Sequence, residues 1–317
     1  MAKAIEAEGL TKVYGPSIRA VDGVSFQVEE GEIFGFLGPN GAGKTTTIKM
    51  LTTLATVTEG KSRVMGYDVA KDPDKVRRAI GLTPQEAAVD GDLTGTENLL
   101  LSAGLYGVDE AEARKRANEL LELVSLQEAA RRLVRTYSGG MKKRLELVAG
   151  LIHEPSVLFL DEPTLGLDIQ TRIKMWEYIR GINKERGMTI FLTTHYLEEA
   201  DALCDRVAII DHGRIKVVGS PAELKASLGG DLLELVLPDG PDMSDAIAAM
   251  NGGLKVARNG NVYSIRVPHV EDSLQKVSVE LWKLGVSIES VRVEKSSLDQ
   301  VFLDVTGRSI RDEGAGK

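Results

Sequence analysis

The chain has 317 residues, a net charge of -8, and 43% hydrophobic and 27% charged side chains, a composition that allows one large or two ordinary globular domains with a sizeable core. The acidic balance excludes nucleic-acid binding by bulk charge, leaving only local basic clusters open to that role. A lone cysteine, Cys204, excludes an intrachain disulfide and fits a packed core thiol in a reducing compartment. No run reaches the roughly 18 apolar residues of a membrane-crossing helix. Residues 1–20 carry Lys3, Glu6, Glu8, Lys12 and Arg19 without a long apolar block, unlike a secretory signal. Cytoplasmic residence is the resulting expectation.

Residues 4–13 and 20–29 alternate apolar and polar side chains, the second more clearly through Val21, Val24, Phe26 and Val28, which predicts antiparallel strands. Tyr14 falls in the turn between them, where an aromatic ring is either a turn residue or a platform for a purine. Residues 32–37 are short, apolar and β-prone, and 46–53 carry apolar residues at helical intervals. Between them stands Gly38-Pro39-Asn40-Gly41-Ala42-Gly43-Lys44-Thr45-Thr46, which fits G-x-x-x-x-G-K-[ST] in the strand, loop, helix order that the pattern requires. Glycines let successive backbone N–H groups turn toward an anion, and the following helix adds its positive dipole end. Lys44 then reaches the β- and γ-phosphates of a nucleotide, and the Thr45 hydroxyl ligates Mg²⁺.

Residues 60–69 read as a strand with a turn at Gly66-Tyr67-Asp68, 75–79 as a short helix, and 80–85 as a brief strand broken by Pro84. Gln85 falls at that strand's end, where a side-chain amide reaches a ligand at the carboxyl edge of a sheet. Residues 94–130 turn helix-rich, with Leu99, Leu100, Leu105, Ala117, Leu120, Leu121, Leu123 and Val124 supplying apolar faces and 110–116 a solvated one. The section closes on Ser138-Gly139-Gly140 at a helix start, a second place where a hydroxyl and bare N–H groups face outward; an N-cap is the plainer reading.

The apolar run 157–160 ends in Asp161-Glu162, a buried strand delivering two carboxylates. Asp161 holds hydrated Mg²⁺ opposite Thr45, and Glu162 orients or deprotonates a water. After a helix near 170–183, residues 188–194 form another buried strand with His195 just past its end, beside the edge that carries Gln85 and Glu162. His195 is either structural or a γ-phosphate contact. Residues 206–211 are the last core strand, and His212-Gly213-Arg214 turns the chain into a hairpin with 215–218.

A composition shift marks Gly229-Gly230. Beyond it the expected elements are strand 231–237, helix 242–250, strands 254–258 and 262–267, helix 273–284 and strand 286–293, a βαββαβ order of ferredoxin-like type. Leu298, Val301, Phe302 and Val305 then form one apolar stripe on a final helix, which in the simplest case docks on its own chain.

Together these motifs resemble the ATP-binding subunit of ABC transporters over about residues 4–225, and the stretch around residues 297–308 looks like the C-terminal motif of the daunorubicin-resistance type. The resemblance implies an α/β fold: a P-loop ATPase domain with a mixed sheet, an antiparallel β subdomain and a helical insertion at about 94–150, over 1–228. It is followed by a small α+β domain for regulation or dimerisation over 229–310 and a disordered tail at 311–317. By resemblance, Tyr14 stacks on adenine; Asn40, Gly41, Ala42, Gly43, Lys44, Thr45 and Thr46 form the Walker A loop; and Gln85 senses Mg²⁺ near the coupling surface. Ser138, Gly139 and Gly140 match the signature, Asp161 and Glu162 the Walker B aspartate and catalytic glutamate, Asp168 the D-loop aspartate and His195 the switch histidine. Tyr137 and Met141 depart from the Leu and Gln that usually flank the signature. The resemblance further implies ATP and Mg²⁺ as cofactors and a homodimer in which the signature of one subunit covers ATP on the loop of the other. Its expected partner is a separate ABC-2-type membrane permease, to which the ATPase attaches peripherally at the cytoplasmic face for export of drugs or lipid-like compounds. An importer ATPase and a soluble clamp are the alternatives. A GTPase is disfavoured because Asn183-Lys184-Glu185-Arg186 fails the N-K-x-D guanine reader at its last position.

Overall fold

The computed structural model describes residues 2–86, 88–268 and 270–308; the expected tail at 311–317 lies outside them. The chain divides into two compact units between Ser220 and Pro221, ahead of the composition shift at Gly229-Gly230.

In the first unit the chain runs β1 (Lys3–Tyr14), β2 (Ile18–Glu29), β3 (Ile33–Leu37), α1 (Lys44–Leu51), β4 (Glu59–Val64), β5 (Tyr67–Asp68), α2 (Pro73–Ala79) and β6 (Ile80–Thr83). Helices α3 (Gly95–Leu105), α4 (Glu110–Leu123) and α5 (Gly139–Ala149) make up the helical section. Strand β7 (Val157–Asp161), α6 (Ile169–Arg186), β8 (Thr189–Thr194), α7 (Leu197–Leu203), β9 (Arg206–Asp211) and β10 (Arg214–Gly219) complete the unit. Two sheets result, an antiparallel one in the order β2-β1-β4-β5 and a six-stranded one in the order β10-β9-β3-β8-β7-β6. In the second sheet β9, β3, β8, β7 and β6 are parallel and only β10 runs antiparallel. Every residue of β3, β7 and β8 is buried, as strands covered on both faces require. Phe26 of β2 meets Phe34, Phe36 and Phe191 at centroid distances of 5.6, 5.4 and 5.7 Å, so an aromatic cluster binds the two sheets together. Its stacked and tilted pairs each add about 0.5–1.5 kcal/mol beyond area burial.

Two local expectations shift. Tyr14 is the last residue of β1 rather than part of the turn, and Tyr67-Asp68 pair with Val64 and Arg63 as a short strand. Cys204 is buried against Gly35, where an added Cβ would lie 2.6 Å from its sulfur, and burial pushes its thiol pKa well up.

The second unit comprises α8 (Pro221–Ala226), β11 (Asp231–Val236), α9 (Ser244–Met250), β12 (Val256–Asn259), β13 (Val262–Val267), α10 (Val270–Lys283), β14 (Ser290–Glu294) and α11 (Leu298–Thr306). Its sheet order, β12-β13-β11-β14, with every neighbouring pair antiparallel, is the split βαββαβ arrangement expected. Leu233, Leu235, Ile265, Val267, Val277 and Leu281 form its core. The last strand begins later than expected because the Val286 N–H closes helix α10 on Leu281 O at 2.9 Å and is not available to start a ladder. The α11 stripe is largely spent within the unit: Leu298, Val301 and Phe302 are buried, and α11 packs on α8.

Candidate functional site

The parallel order β3-β8-β7-β6 sets four strand ends side by side. From them issue, in turn, the Gly-rich loop, His195, Asp161-Glu162 and Gln85, at the carboxyl edge where α/β sheets bind ligands. A cavity of about 510 Å³ opens there, lined by Tyr14, Asn40, Gly41, Gly43, Lys44, Thr45, Thr46, Gln85 and Glu162. Tyr14 is 40% exposed at its rim. Ala42 is buried and does not line it; its carbonyl accepts from Gly213 N at 3.0 Å, so the β9–β10 turn braces the loop from behind. That turn has φ 47° at His212 and 74° at Gly213, the double positive φ of a two-residue hairpin.

Two glycines of the loop admit no side chain. Gly43 has φ 103°, and a Cβ there would meet Ala20 O at 2.5 Å. A Cβ on Gly38 would meet Ile210 O at 2.3 Å. Helix α1 starts with no side-chain cap, leaving its N-terminal N–H groups for an anion.

Lys44 is buried and folds back on the loop. Its Nζ donates to Gly38 O at 2.7 Å and Pro39 O at 3.1 Å, and lies 3.1 Å from Glu162 Oε1. The other carboxylate oxygen, Oε2, accepts from His195 Nδ1 at 2.7 Å. An ionised carboxylate only accepts, so Nδ1 carries the proton. Burial pushes the Glu162 pKa up, but the His195 bond and the Lys44 charge outweigh it and hold the carboxyl below its ordinary value. Glu162 sits at φ 52°, a left-handed conformation costly for a non-glycine residue. Thr193 secures it, because Glu162 N donates to Thr193 Oγ1 at 3.1 Å and to Thr193 O at 3.2 Å.

Thr193 was not singled out in the sequence, and it does a second job: its hydroxyl donates to Asp161 Oδ1 at 2.6 Å. The available signal was a hydroxyl inside an otherwise apolar buried strand, which must find a partner. The same Asp161 oxygen accepts from Thr45 Oγ1 at 3.1 Å. Thr45, Asp161 and the nearby Gln85 therefore offer hard oxygen donors suited to a Mg²⁺ that keeps most of its coordination for water and phosphate. Gln85 is exposed, and its backbone carbonyl accepts from Lys143 Nζ on α5 at 3.2 Å.

The signature residues stand elsewhere. Ser138 caps α5, its Oγ accepting from Met141 N at 3.3 Å, and Asp168 caps α6 by accepting from Thr171 N at 3.0 Å and Thr171 Oγ1 at 2.7 Å. The two caps adjoin, since a Cβ on Gly140 would lie 2.6 Å from Thr171 Cγ2. Ser138, Gly140 and Thr171 line a separate cavity of about 350 Å³ with Arg144 and Tyr178. Exposed Gly139 belongs to that side as well. Tyr137, the unusual residue before the cap, is buried and donates to Ala129 O at 2.7 Å, so it replaces an apolar contact with an anchored one.

A third hollow of about 420 Å³ is lined by Leu54, Arg77, Arg78, Leu82, Leu105 and Tyr106. Leu105, among the residues expected to supply apolar faces of the helical section, is 80% exposed, and Leu54 is 63% exposed.

The ABC transporter family matches residues 21–165, and the family of DrrA1-3-like ATP-binding protein C-terminal domains matches residues 219–306. The daunorubicin/doxorubicin resistance ATP-binding protein DrrA of Streptomyces peucetius is 44% identical over 314 residues, 98% of this chain and 94% of that protein. This chain belongs to the ABC transporter ATP-binding proteins. A second relative of this ABC protein, the linearmycin resistance ATP-binding protein LnrL of Bacillus subtilis, is 38% identical and spans 97% of this chain and 100% of its own. Among solved structures, a dimeric ATP-binding cassette in a post-hydrolysis state with ADP and Pi superposes with a TM-score of 0.63. It is 28% identical and covers 68% of this chain and 98% of its own. As an ABC ATPase the chain is an ATP-hydrolysing subunit that works with a membrane component; no described helix is long and apolar enough to cross a membrane itself.

Proposed function

We propose that this subunit hydrolyses Mg-ATP between two copies of itself set head to tail and thereby drives a separate ABC-2-type permease. The work is done at the cytoplasmic membrane face, in the export of drug-like or lipid-like compounds. The observation that carries this reading is the separation of two anion-receptive helix starts, because the Lys44 loop and the Ser138 cap line different cavities of one chain. A γ-phosphate held by the first lacks donors on its outer side until a second copy brings Ser138, Gly139 and Gly140, with Asp168 beside them. Export follows the resistance proteins to which the chain is similar across both units. The hollow at Leu54, Leu105 and Tyr106, rimmed by Arg78 and the Arg77–Asp74 pair, supplies an apolar seat with a charged rim for a permease segment.

In the proposed site Tyr14 stacks on the base, the loop N–H groups and Lys44 hold the phosphates, and Thr45, Asp161 and Gln85 would hold a Mg²⁺, which would supply positive charge against that developing on the phosphates. Phosphate draws Lys44 away from Glu162. His195 shifts its attachment from the carboxylate to the nucleotide side, and Glu162, freed of both partners, accepts a proton from the attacking water. The experiment is Glu162→Gln: turnover should fall by roughly 10²–10⁴, and Mg-ATP should convert the variant to a dimer on a sizing column. A variant that binds ATP tightly and stays monomeric overturns the reading.

A further inference from the structure

Glu199, on the first turn of α7, is 0% exposed and has no part in the mechanism above. Its Oε1 accepts two hydrogen bonds, from Thr164 Oγ1 at 2.7 Å and Trp176 Nε1 at 3.0 Å. Its Oε2 is buried as well. Burial pushes the carboxyl pKa up, against the opposing pull of the Thr194, Thr164 and Trp176 donors, and the nearby Glu162 charge adds to the rise. A carboxyl placed here is expensive, since an apolar side chain would fill the space without desolvation. What it adds is direction. Thr164 lies just past Glu162 in the segment that leads to Asp168, Trp176 belongs to α6, which that segment enters, and His195 lies one turn before Glu199 itself. The same two regions touch again where the Arg172 guanidinium stacks over Tyr196 at 4.1 Å.

We propose that Glu199 is a positioning residue for ATP hydrolysis: by gripping Thr164 and Trp176 from the helix that follows His195, it fixes the spacing of His195 and Glu162. Glu162 needs such a grip because its φ of 52° is not a conformation it would keep unaided. With Glu199 in place, the chain leaves Glu162 along a path pinned at Thr164, and Leu165 N closes the turn on Glu162 O at 3.1 Å. Without it, the backbone segments that carry Glu162 and His195 lose their fixed spacing, while the Lys44 loop, braced by β2 and the β9–β10 turn, stays formed. The group thus acts on the hydrolytic step and not on nucleotide capture. It also carries the position of Asp168, beside the second copy's site, to the residue that orients water.

This inference rests on Glu162 being the base, so Glu162→Gln is assayed in parallel. If Glu162→Gln retains turnover, the reading of the site fails. If it is inactive while Glu199→Ala remains fully active, only the inference fails. The full-length protein is assayed for steady-state ATPase and for binding of a fluorescent ATP analogue. Glu199→Ala should lower kcat by up to roughly 10²-fold, the cost of a misplacement of about 1 Å, with analogue affinity within about threefold of wild type. Glu199→Gln, which keeps an oxygen for Thr164 and Trp176, should restore kcat to within a similar margin. Thr164→Val and Trp176→Phe each delete one donor and should lower kcat by a smaller factor at unchanged affinity; they decide the matter if Glu199→Ala does not fold. The proposal is overturned by unchanged kcat in the alanine and single-donor variants. It is equally overturned by a parallel fall of kcat and affinity, which marks a scaffold role, or by a glutamine variant as impaired as alanine.

Discussion

Glu162 holds a charge in a buried position because two cationic or donating neighbours face it from different elements, Lys44 from the loop and His195 from the end of β8. Its folded-state pKa is lowered, so the associated stabilisation is fully present above the unfolded value and is lost as pH falls through the folded one. His195→Ala removes a partner that lowers the pKa and leaves burial less opposed. The acid-unfolding midpoint of nucleotide-free protein, followed by far-UV circular dichroism, should therefore move to higher pH in that variant; an unchanged midpoint rules out the linkage. Tyr14 makes a simpler claim. It lines the cavity at the Lys44 loop, and base stacking on an aromatic ring is worth about 1–3 kcal/mol. Tyr14→Ala should weaken ATP binding by roughly 5- to 150-fold in an equilibrium titration, with Tyr14→Trp recovering most of it.

At the level of elements, what the sequence reveals follows from how local each signal is. The loop 38–46, the carboxylates after β7 and the histidine after β8 were legible because polar or glycine residues interrupt short apolar runs, and such interruptions are read without knowing the neighbours. The Lys44–Glu162 contact was not, because it depends on β8 lying between β3 and β7. Glu199 was invisible for another reason: in Leu197-Glu198-Glu199-Ala200 nothing distinguishes a buried carboxylate from a solvated one. Leu105 was misplaced by composition. It follows Leu99 by six residues, about 240° around the helix beyond a full turn, so a buried Leu99 turns Leu105 outward, on the same side as exposed Leu101. If that outward face seats a permease segment, Leu105→Ser should reduce co-purification with the permease. Thermal stability should move by no more than about 0.5 kcal/mol, as at other surface positions. A large loss of stability would place Leu105 in the core after all.

The molecule as a whole consists of two units with separate cores, and the cavity at the Lys44 loop lies in the first. Calorimetry should resolve this division: ATP at about 100 times its Kd should raise the first unit's stability by about 2.7 kcal/mol and leave the second transition in place. Phe302, buried in α11, offers the converse test. Phe302→Ala should cost the second unit roughly 3–5 kcal/mol without moving the ATP-responsive transition. Coincident shifts in both tests would show that the units melt as one.

The separation of the two cavities on one chain also predicts how the activity scales with amount. Under the proposed head-to-tail arrangement a solitary copy would load nucleotide and stop, so specific activity of the purified subunit should climb with its own concentration and fade on dilution. Two copies held by one membrane component should escape this dependence, since the tether, and not bulk concentration, sets their local molarity.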